Sequence, residues 1–338
     1  MPFRIALAGA GMISHFHLGG WRKLADRVRV VAIVDPDRAS AERRAQEFGI
    51  PAVYADAEQL FAAEAIDALD VLSPRETHAA WVAAAAARGI PVICQKPLTP
   101  TLVESEALIR QVVPKTRLMV HENWRFRPWY RELKRWIADG ALGDIAMARM
   151  TMINSGLLPD PATGKRFQLE RQPFFQHEPR LIIAEVLIHQ IDVMRYLCGE
   201  LRVRAACSGR TVADVVGETY ADIFMESAAG APVTVTGNIA APFYPPRVPD
   251  RLEIVGSRAS AVFQDDELAL LGPTPRRERY DRDAGYQASF DAVIAHFVDC
   301  LESGAPFETD PADNLETLTL VEHAYWAAGL GDVPATRA

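Results

Sequence analysis

Residues 1 to about 120 repeat one pattern, a short apolar run followed by a helical one, and no other feature constrains the fold as tightly. The apolar runs are FRIALA, VRVVAIV, AVY, DALDVLS, IPVICQ and RLMV. Between them lie helical stretches such as DRASAERRAQEF, ETHAAWVAAAAARG and TLVESEALIRQVV. Strands that are apolar at nearly every position need cover on both faces, and alternation with helices supplies it. The pattern therefore specifies an α/β fold with a doubly wound parallel sheet.

From about residue 123 the pattern changes. A polar aromatic segment, NWRFRPWYRELKRWIADG, precedes one strand, DIAMARMTMI, a long irregular stretch to about residue 180, and an apolar helix, LIIAEVLIHQIDVMRYLCG. Strand-like runs then succeed one another from RVRAACSG to ELALL, and two helical patterns close the chain. That order predicts an α+β domain with a mostly antiparallel sheet. The expected division is 1–122 for the first domain and 123–338 for the second. With 338 residues, 49% of them hydrophobic, the chain is long enough for two cores.

Charge and cysteine usage remove several function classes. Thirty-six Lys and Arg against forty-four Asp and Glu leave a net charge of -8, the wrong sign for a nucleic-acid footprint. Cys94, Cys198, Cys207 and Cys300 are scattered, without C-x-x-C pairs or a nearby His cluster, so no metal site or disulfide framework is expected. They are read as reduced, buried thiols. The alanine-rich run at 79–87 is interrupted by Arg88 and Gly89 and is too short to span a bilayer. With no basic leader ahead of the first strand, the expected location is cytoplasmic, away from membranes.

Three groups of residues carry possible chemistry. GAGMIS, Gly9 to Ser14, follows the first apolar run and opens a helix, and Asp35 ends the second run. Gly9 permits a tight turn, and Gly11 lets a pyrophosphate approach the backbone. The helix start at Met12 and Ile13 presents N–H groups to it. A plain strand-to-helix turn would also use glycine; the acid after the second strand tips the reading toward a dinucleotide. Asp35 would accept hydrogen bonds from ribose hydroxyls and repel a 2'-phosphate, which favours NAD, while Arg38 keeps NADP open.

Ser73, Pro74 and His78 follow the fourth strand and Gln95 and Lys96 follow the fifth, at the sheet edge where doubly wound folds bind ligands. For LSPRETH the alternative is an ordinary helix start with an exposed histidine. Lys96 can point into a crevice between the domains, and the Gln95 amide can bond cofactor or backbone. In the apolar helix, Glu185, His189 and Asp192 are spaced by four and three and so share a face. Ionisable groups there are costly unless they pair within a core or line a cleft. Beside a nicotinamide site, the histidine would serve as acid and base.

GAGMIS, Asp35, LSPRETH, CQKPLT, NWRF and EVLIHQID occur in the order and spacing of the Gfo/Idh/MocA oxidoreductases, and nearly the whole chain resembles that family. The resemblance implies a Rossmann domain, a second α/β domain built on a large open sheet, and an active site between them. It implies that Lys96 binds the reacting oxygen, that His189 accepts the proton, and that Glu185, where the family usually has aspartate, binds substrate or orients the site. Asn123 matches a polar position near the cleft, and Asp192 is a candidate partner of the lysine or the histidine. Gln95 replaces the glutamate of the family's E-K-P motif, and Ser14 a third glycine or alanine.

The activity so implied is hydride transfer between NAD and a secondary alcohol or ketone of a sugar, cyclitol or sugar acid, with no metal. Two other readings stay open: NAD-dependent glycoside cleavage through transient oxidation, and a non-catalytic NAD sensor. The segment 154–180 holds Lys165, Arg166, Arg171 and Arg180 with three phenylalanines, and Trp124 and Arg125 could stand near it. These cations and rings suit an acidic or phosphorylated sugar; equally, the segment suits an arm packed on a partner subunit. The resemblance also implies a homodimer or homotetramer through the second sheet.

Overall fold

The computed structural model describes residues 1–331, which divide into two compact units. The first comprises Met1–Phe126 and Tyr286–Glu316, the second Arg127–Gly285 and the chain from Thr317 onward.

In the first unit the strands are β1 (Phe3–Ala8), β2 (Val28–Val34), β3 (Ala52–Tyr54), β4 (Ala68–Val71), β5 (Val92–Gln95) and β6 (Leu118–His121). Helices α1 (Ser14–Lys23), α2 (Arg38–Phe48), α3 (Ala57–Ala63), α4 (Arg75–Ala86) and α5 (Leu102–Val112) alternate with them. All pairings are parallel, in the order β3-β2-β1-β4-β5-β6. Ile5, Ala6, Leu7 and Ala8 are fully buried, as a strand covered on both faces requires. The sequence order reverses between β1 and β4, and that switch point opens the ligand crevice of such sheets. Gly9 closes β1 at φ 118°, where a Cβ would lie 2.7 Å from the Leu72 carbonyl carbon and the Ser73 nitrogen, so only glycine fits.

The second unit begins with α6 (Pro128–Ala138), whose buried face is Trp129, Tyr130, Leu133 and Trp136. There follow β7 (Ile145–Ile153), a five-residue α7 (Phe167–Arg171) and α8 (Ile188–Cys198). Strands β8 (Leu201–Gly209), β9 (Tyr220–Ser227), β10 (Pro232–Asn238), β11 (Arg251–Gly256), β12 (Ser260–Gln264), β13 (Glu267–Leu271) and β14 (Arg276–Arg279) complete an eight-stranded sheet. Its order is β14-β13-β12-β11-β7-β10-β9-β8, antiparallel except for the β7–β10 pair. One face carries Ala148, Met150, Ile223, Met225, Val233, Val235, Leu252 and Ile254, all buried. The other is polar with scattered apolar residues, among them the exposed Phe224, Val255 and Leu271.

Helices α9 (Arg282–Ser303) and α10 (Pro311–Ala327) close the chain, and here the division differs from a single break at 122/123. Val293, Ile294, Phe297 and Val298 join Ile5, Leu7, Trp21 and Ile33 in one core cluster, so the segment from Tyr286 to Glu316 belongs to the first unit. Burying such side chains contributes roughly 1.5–3 kcal/mol each, which outweighs sequence proximity to the second sheet. The cysteines also depart from expectation: Cys94 and Cys300 are buried, Cys198 is intermediate and Cys207 is exposed on β8, all as free thiols. Among the described residues no helix is long and apolar enough to cross a membrane, and no cluster of His, Cys, Asp and Glu could hold a metal.

Candidate active site

At the switch point the glycine turn is held from below and open above. Asp35, following β2, accepts hydrogen bonds from the Ala10 N–H through Oδ2 and the Asp37 N–H through Oδ1, each at 2.8 Å. Each carboxylate oxygen retains acceptor capacity for a ribose hydroxyl. Gly11 is exposed, and a Cβ there would meet nothing within 4 Å, while α1 starts with no side-chain cap. A helix N-terminus in open space beneath a bare glycine fits a pyrophosphate. Met12 and Ile13, half-buried, form the rim.

Ser14 stands where a third glycine would, and its role is visible: buried, it donates from Oγ to the Gly11 carbonyl at 2.7 Å and accepts from Arg44 Nε at 2.9 Å. Arg38 pairs instead with Glu42 on its own helix at 2.7 Å. Asp35→Ala should therefore narrow the preference for NAD over NADP by about tenfold, since hydrogen bonds to a charged group contribute roughly 1.5–3 kcal/mol. The ratio of kcat/KM for the two cofactors is the measurement, and an unchanged ratio contradicts the ribose assignment.

At the ends of β4 and β5, the turns carrying Ser73 and Lys96 are tied together. His78, on the first turn of α4, is 1% exposed, in contrast to the exposed histidine of an ordinary helix start. Its Nε2 lies 2.8 Å from the Ser73 carbonyl oxygen and its Nδ1 3.0 Å from that of Pro97. Pro74 sets the N-cap of α4, and the Thr77 hydroxyl reaches both Ser73 Oγ and the Pro74 carbonyl at 2.7 Å. Lys96 is half-buried and precedes Pro97 through a cis peptide bond. Gln95 turns inward, its amide nitrogen 2.7 Å from His17 Nε2 and 3.1 Å from His121 Nδ1.

Also in the first unit are Asn123, Trp124 and Arg125. Asn123 Nδ2 donates to Ser289 Oγ at 2.8 Å, and the Trp124 ring meets Tyr286 edge-on with centroids 6.0 Å apart. Arg125 is 2% exposed and forms an ion pair with Asp313 at 2.9 Å. All three therefore meet the returning segment 286–316, a tertiary partner that local sequence does not reveal.

In the second unit the acid-histidine helix begins with a π-helical turn over Ile182–Leu187 and becomes α-helical from Ile188. Glu185 lies in the π turn and His189 in the first turn of α8, with exposures of 7% and 8%. Its wider i to i+5 turn brings residues four apart closer to eclipsed than a regular α-helix does, and such turns cluster at functional sites. The start of the turn is anchored by side chains: Glu218 accepts from the Ile183 N–H at 3.2 Å, and Tyr325 Oη from the Ala184 N–H at 3.3 Å. Burial and the adjacent Glu218 push the Tyr325 hydroxyl well above its usual pKa, so it remains a donor. Asp192, fully buried, accepts from Thr317 Oγ1 at 2.9 Å.

The cation-rich segment pairs within its own unit. Arg166 binds Asp214 at 2.7 Å and holds that carboxyl below its usual range, Lys165 binds Glu170 at 2.8 Å, and Arg180 binds Glu322 at 2.9 Å. Sequence reasoning missed His17, Asp70, His121, Glu218 and Tyr325. One signal was available: Asp70 interrupts an apolar strand, ALDV, and a buried carboxylate requires partners.

A parallel sheet with a glycine turn, an acid at the next strand end and an open helix N-terminus defines a dinucleotide-binding domain of the Rossmann type. The chain matches the oxidoreductase family with an NAD-binding Rossmann fold over residues 3–123 and the GFO/IDH/MocA C-terminal domain over residues 130–262. It belongs to the Gfo/Idh/MocA family and binds NAD through its first unit. It is 30% identical to D-apiose dehydrogenase from Paraburkholderia graminis, over 97% of this chain and 88% of that protein. It is 26% identical to inositol 2-dehydrogenase from Rhizobium meliloti, over 96% of each. A crystal structure of an oxidoreductase from Agrobacterium radiobacter, in complex with NAD+, L-tartaric acid and magnesium, superposes with a TM-score of 0.89 at 28% identity, covering 97% of both chains.

Proposed function

We propose that the protein is a dehydrogenase acting on a secondary hydroxyl of a sugar, cyclitol or sugar acid, reversibly, with Lys96, His189 and Glu185 at the reacting carbon. The similarity of almost the whole chain to an apiose dehydrogenase carries this reading, and the similarity to an inositol dehydrogenase extends it to cyclitols. Bound NAD supplies the hydride acceptor. The Lys96 ammonium donates a hydrogen bond to the substrate oxygen and stabilises the negative charge that develops there. His189 Nδ1 or Nε2 takes the hydroxyl proton as the C–H bond breaks, and returns it when the reaction runs as ketone reduction. Glu185, one turn earlier, accepts from a neighbouring substrate hydroxyl and orients the ring. Asn123, Trp124 and Arg125 contribute by fixing the strand end that leads to the substrate, and Arg166 by lining its approach.

A panel of D-apiose, inositols, other sugars and sugar acids with NAD, read by NADH absorbance, tests the proposal. Net NADH formation with a free polyol is the expected outcome. Turnover of a glycoside without net NADH would replace it by transient oxidation within glycoside cleavage, and NAD binding with no turnover of either class by a sensor.

The same reading extends to a cytoplasmic homodimer or homotetramer assembled through the open face of the second sheet. The open, uncovered face of that sheet supports it; Phe224, Val255 and Leu271 are exposed there at 42%, 36% and 45%. Sedimentation showing only a 37.3 kDa species would overturn the assembly.

A further inference from the structure

Lys96 lies between two residues that are each held by buried histidines. Behind it, Gln95 ends β5 with its amide nitrogen against His17 and His121; ahead of it, the Pro97 carbonyl meets His78. The first of these contacts specifies protonation as well as position. His17, on α1, is completely buried, and its Nδ1 lies 2.8 Å from Asp70 Oδ2, which also accepts from Trp21 Nε1 at 2.7 Å. A carboxylate only accepts, so His17 Nδ1 carries a hydrogen. An amide nitrogen only donates, so His17 Nε2, 2.7 Å from Gln95 Nε2, presents its lone pair.

The second hydrogen of the same amide faces His121 Nδ1 at 3.1 Å. The two imidazoles are nearly stacked, with centroids 4.1 Å apart and planes 35° apart, and Phe290 packs against both at 5.4 and 5.1 Å. Two buried rings with centroids 4.1 Å apart do not favour two cations, because like charges repel strongly at that distance. Glutamine is the side chain of this length that can donate to both rings at once. A glutamate of the same shape donates to neither, and it would be satisfied only by ring N–H groups.

We propose that Gln95 is a positioning residue for Lys96: it holds His17 as the neutral Nδ1–H tautomer, leaves the charge of the Asp70–His17–Gln95 chain on Asp70, and thereby fixes the strand end from which Lys96 projects. The proposal rests on Lys96 acting at the substrate oxygen, as set out above.

The test uses the full chain labelled with 15N-histidine, without added ligand, in wild-type and Gln95→Glu forms. It adds NAD titration and steady-state rates with the best substrate of the panel. Wild type is expected to show His17 neutral and protonated at Nδ1. Gln95→Glu is expected to show His17 protonated on both nitrogens, an unchanged NAD affinity and unchanged KM. Its kcat should fall by about tenfold to a hundredfold, the scale for displacing a catalytic group by a fraction of an ångström to one ångström.

A doubly protonated His17 in wild type overturns the proposal without recourse to any variant. The same His17 signal in both proteins overturns the hydrogen-bond assignment. A changed signal with unchanged kcat overturns the positioning role. Should Lys96→Ala turn over normally, the reaction scheme itself fails, and the NMR comparison distinguishes that failure from an error about Gln95.

Discussion

Lys96→Ala is expected to bind NAD with nearly unchanged affinity and to lose turnover by about two to three orders of magnitude, the usual cost of removing one donor from a developing oxyanion. The separation of the two effects follows from where the residues sit. On the proposed site the pyrophosphate and ribose contacts would fall to Gly9, Gly11 and Asp35 at the ends of β1 and β2, whereas Lys96 follows β5, two strands from β1 in the sheet order. His78 holds the Pro97 carbonyl independently of the lysine side chain, so truncating Lys96 leaves the turn in place. Fluorescence titration with NAD and steady-state kinetics on the same preparation measure both quantities. Full turnover in the variant would remove Lys96 from the reaction, and lost NAD binding would make it a cofactor residue.

His189→Ala is expected to lower kcat by about 10²–10⁴-fold, the range for a lost general base, and to abolish the acidic limb of the pH–rate profile. The sign follows from the chemistry: oxidation needs a neutral imidazole to accept the hydroxyl proton, so activity falls as the ring becomes protonated. In the variant, that dependence is absent and the residual rate flattens toward low pH. The effect should be larger than for Glu185→Gln, because the glutamine amide keeps a hydrogen-bonding group in the π turn, whereas a methyl group in place of the imidazole offers none. Full pH profiles of kcat/KM for both variants provide the measurement; an acidic limb that persists in His189→Ala assigns the base to another residue.

Much of this arrangement was legible in sequence because it depends on local chemistry. Gly9 announces a turn that tolerates no Cβ, Asp35 an acid at a strand end, and the six apolar runs a sheet covered on both faces. The helix EVLIHQID was legible as a carrier of ionisable groups, since carboxylate and imidazole in an apolar stretch demand a reason. What local pattern could not express was the π turn, which Glu218 and Tyr325 stabilise from far along the chain. Nor could it express the fate of Arg125, a cation suited by composition to an acidic ligand and buried instead against Asp313. Both depend on pairings between residues far apart in the chain.

Gln95 separates the two levels most clearly. By itself the sequence determined that a neutral amide precedes the lysine of CQKPLT, that this lysine follows a Rossmann strand, and that the chain belongs with nicotinamide oxidoreductases. Only the tertiary structure decided what the amide does, because its partners come from α1 and β6, and His17 is oriented in turn by Asp70 on β4. A side chain's type limits the hydrogen bonds it can make, and that limit is written in the sequence. Which of them it makes depends on atoms brought within about 3 Å by the packing of strands and helices, and the packing is a property of the whole unit.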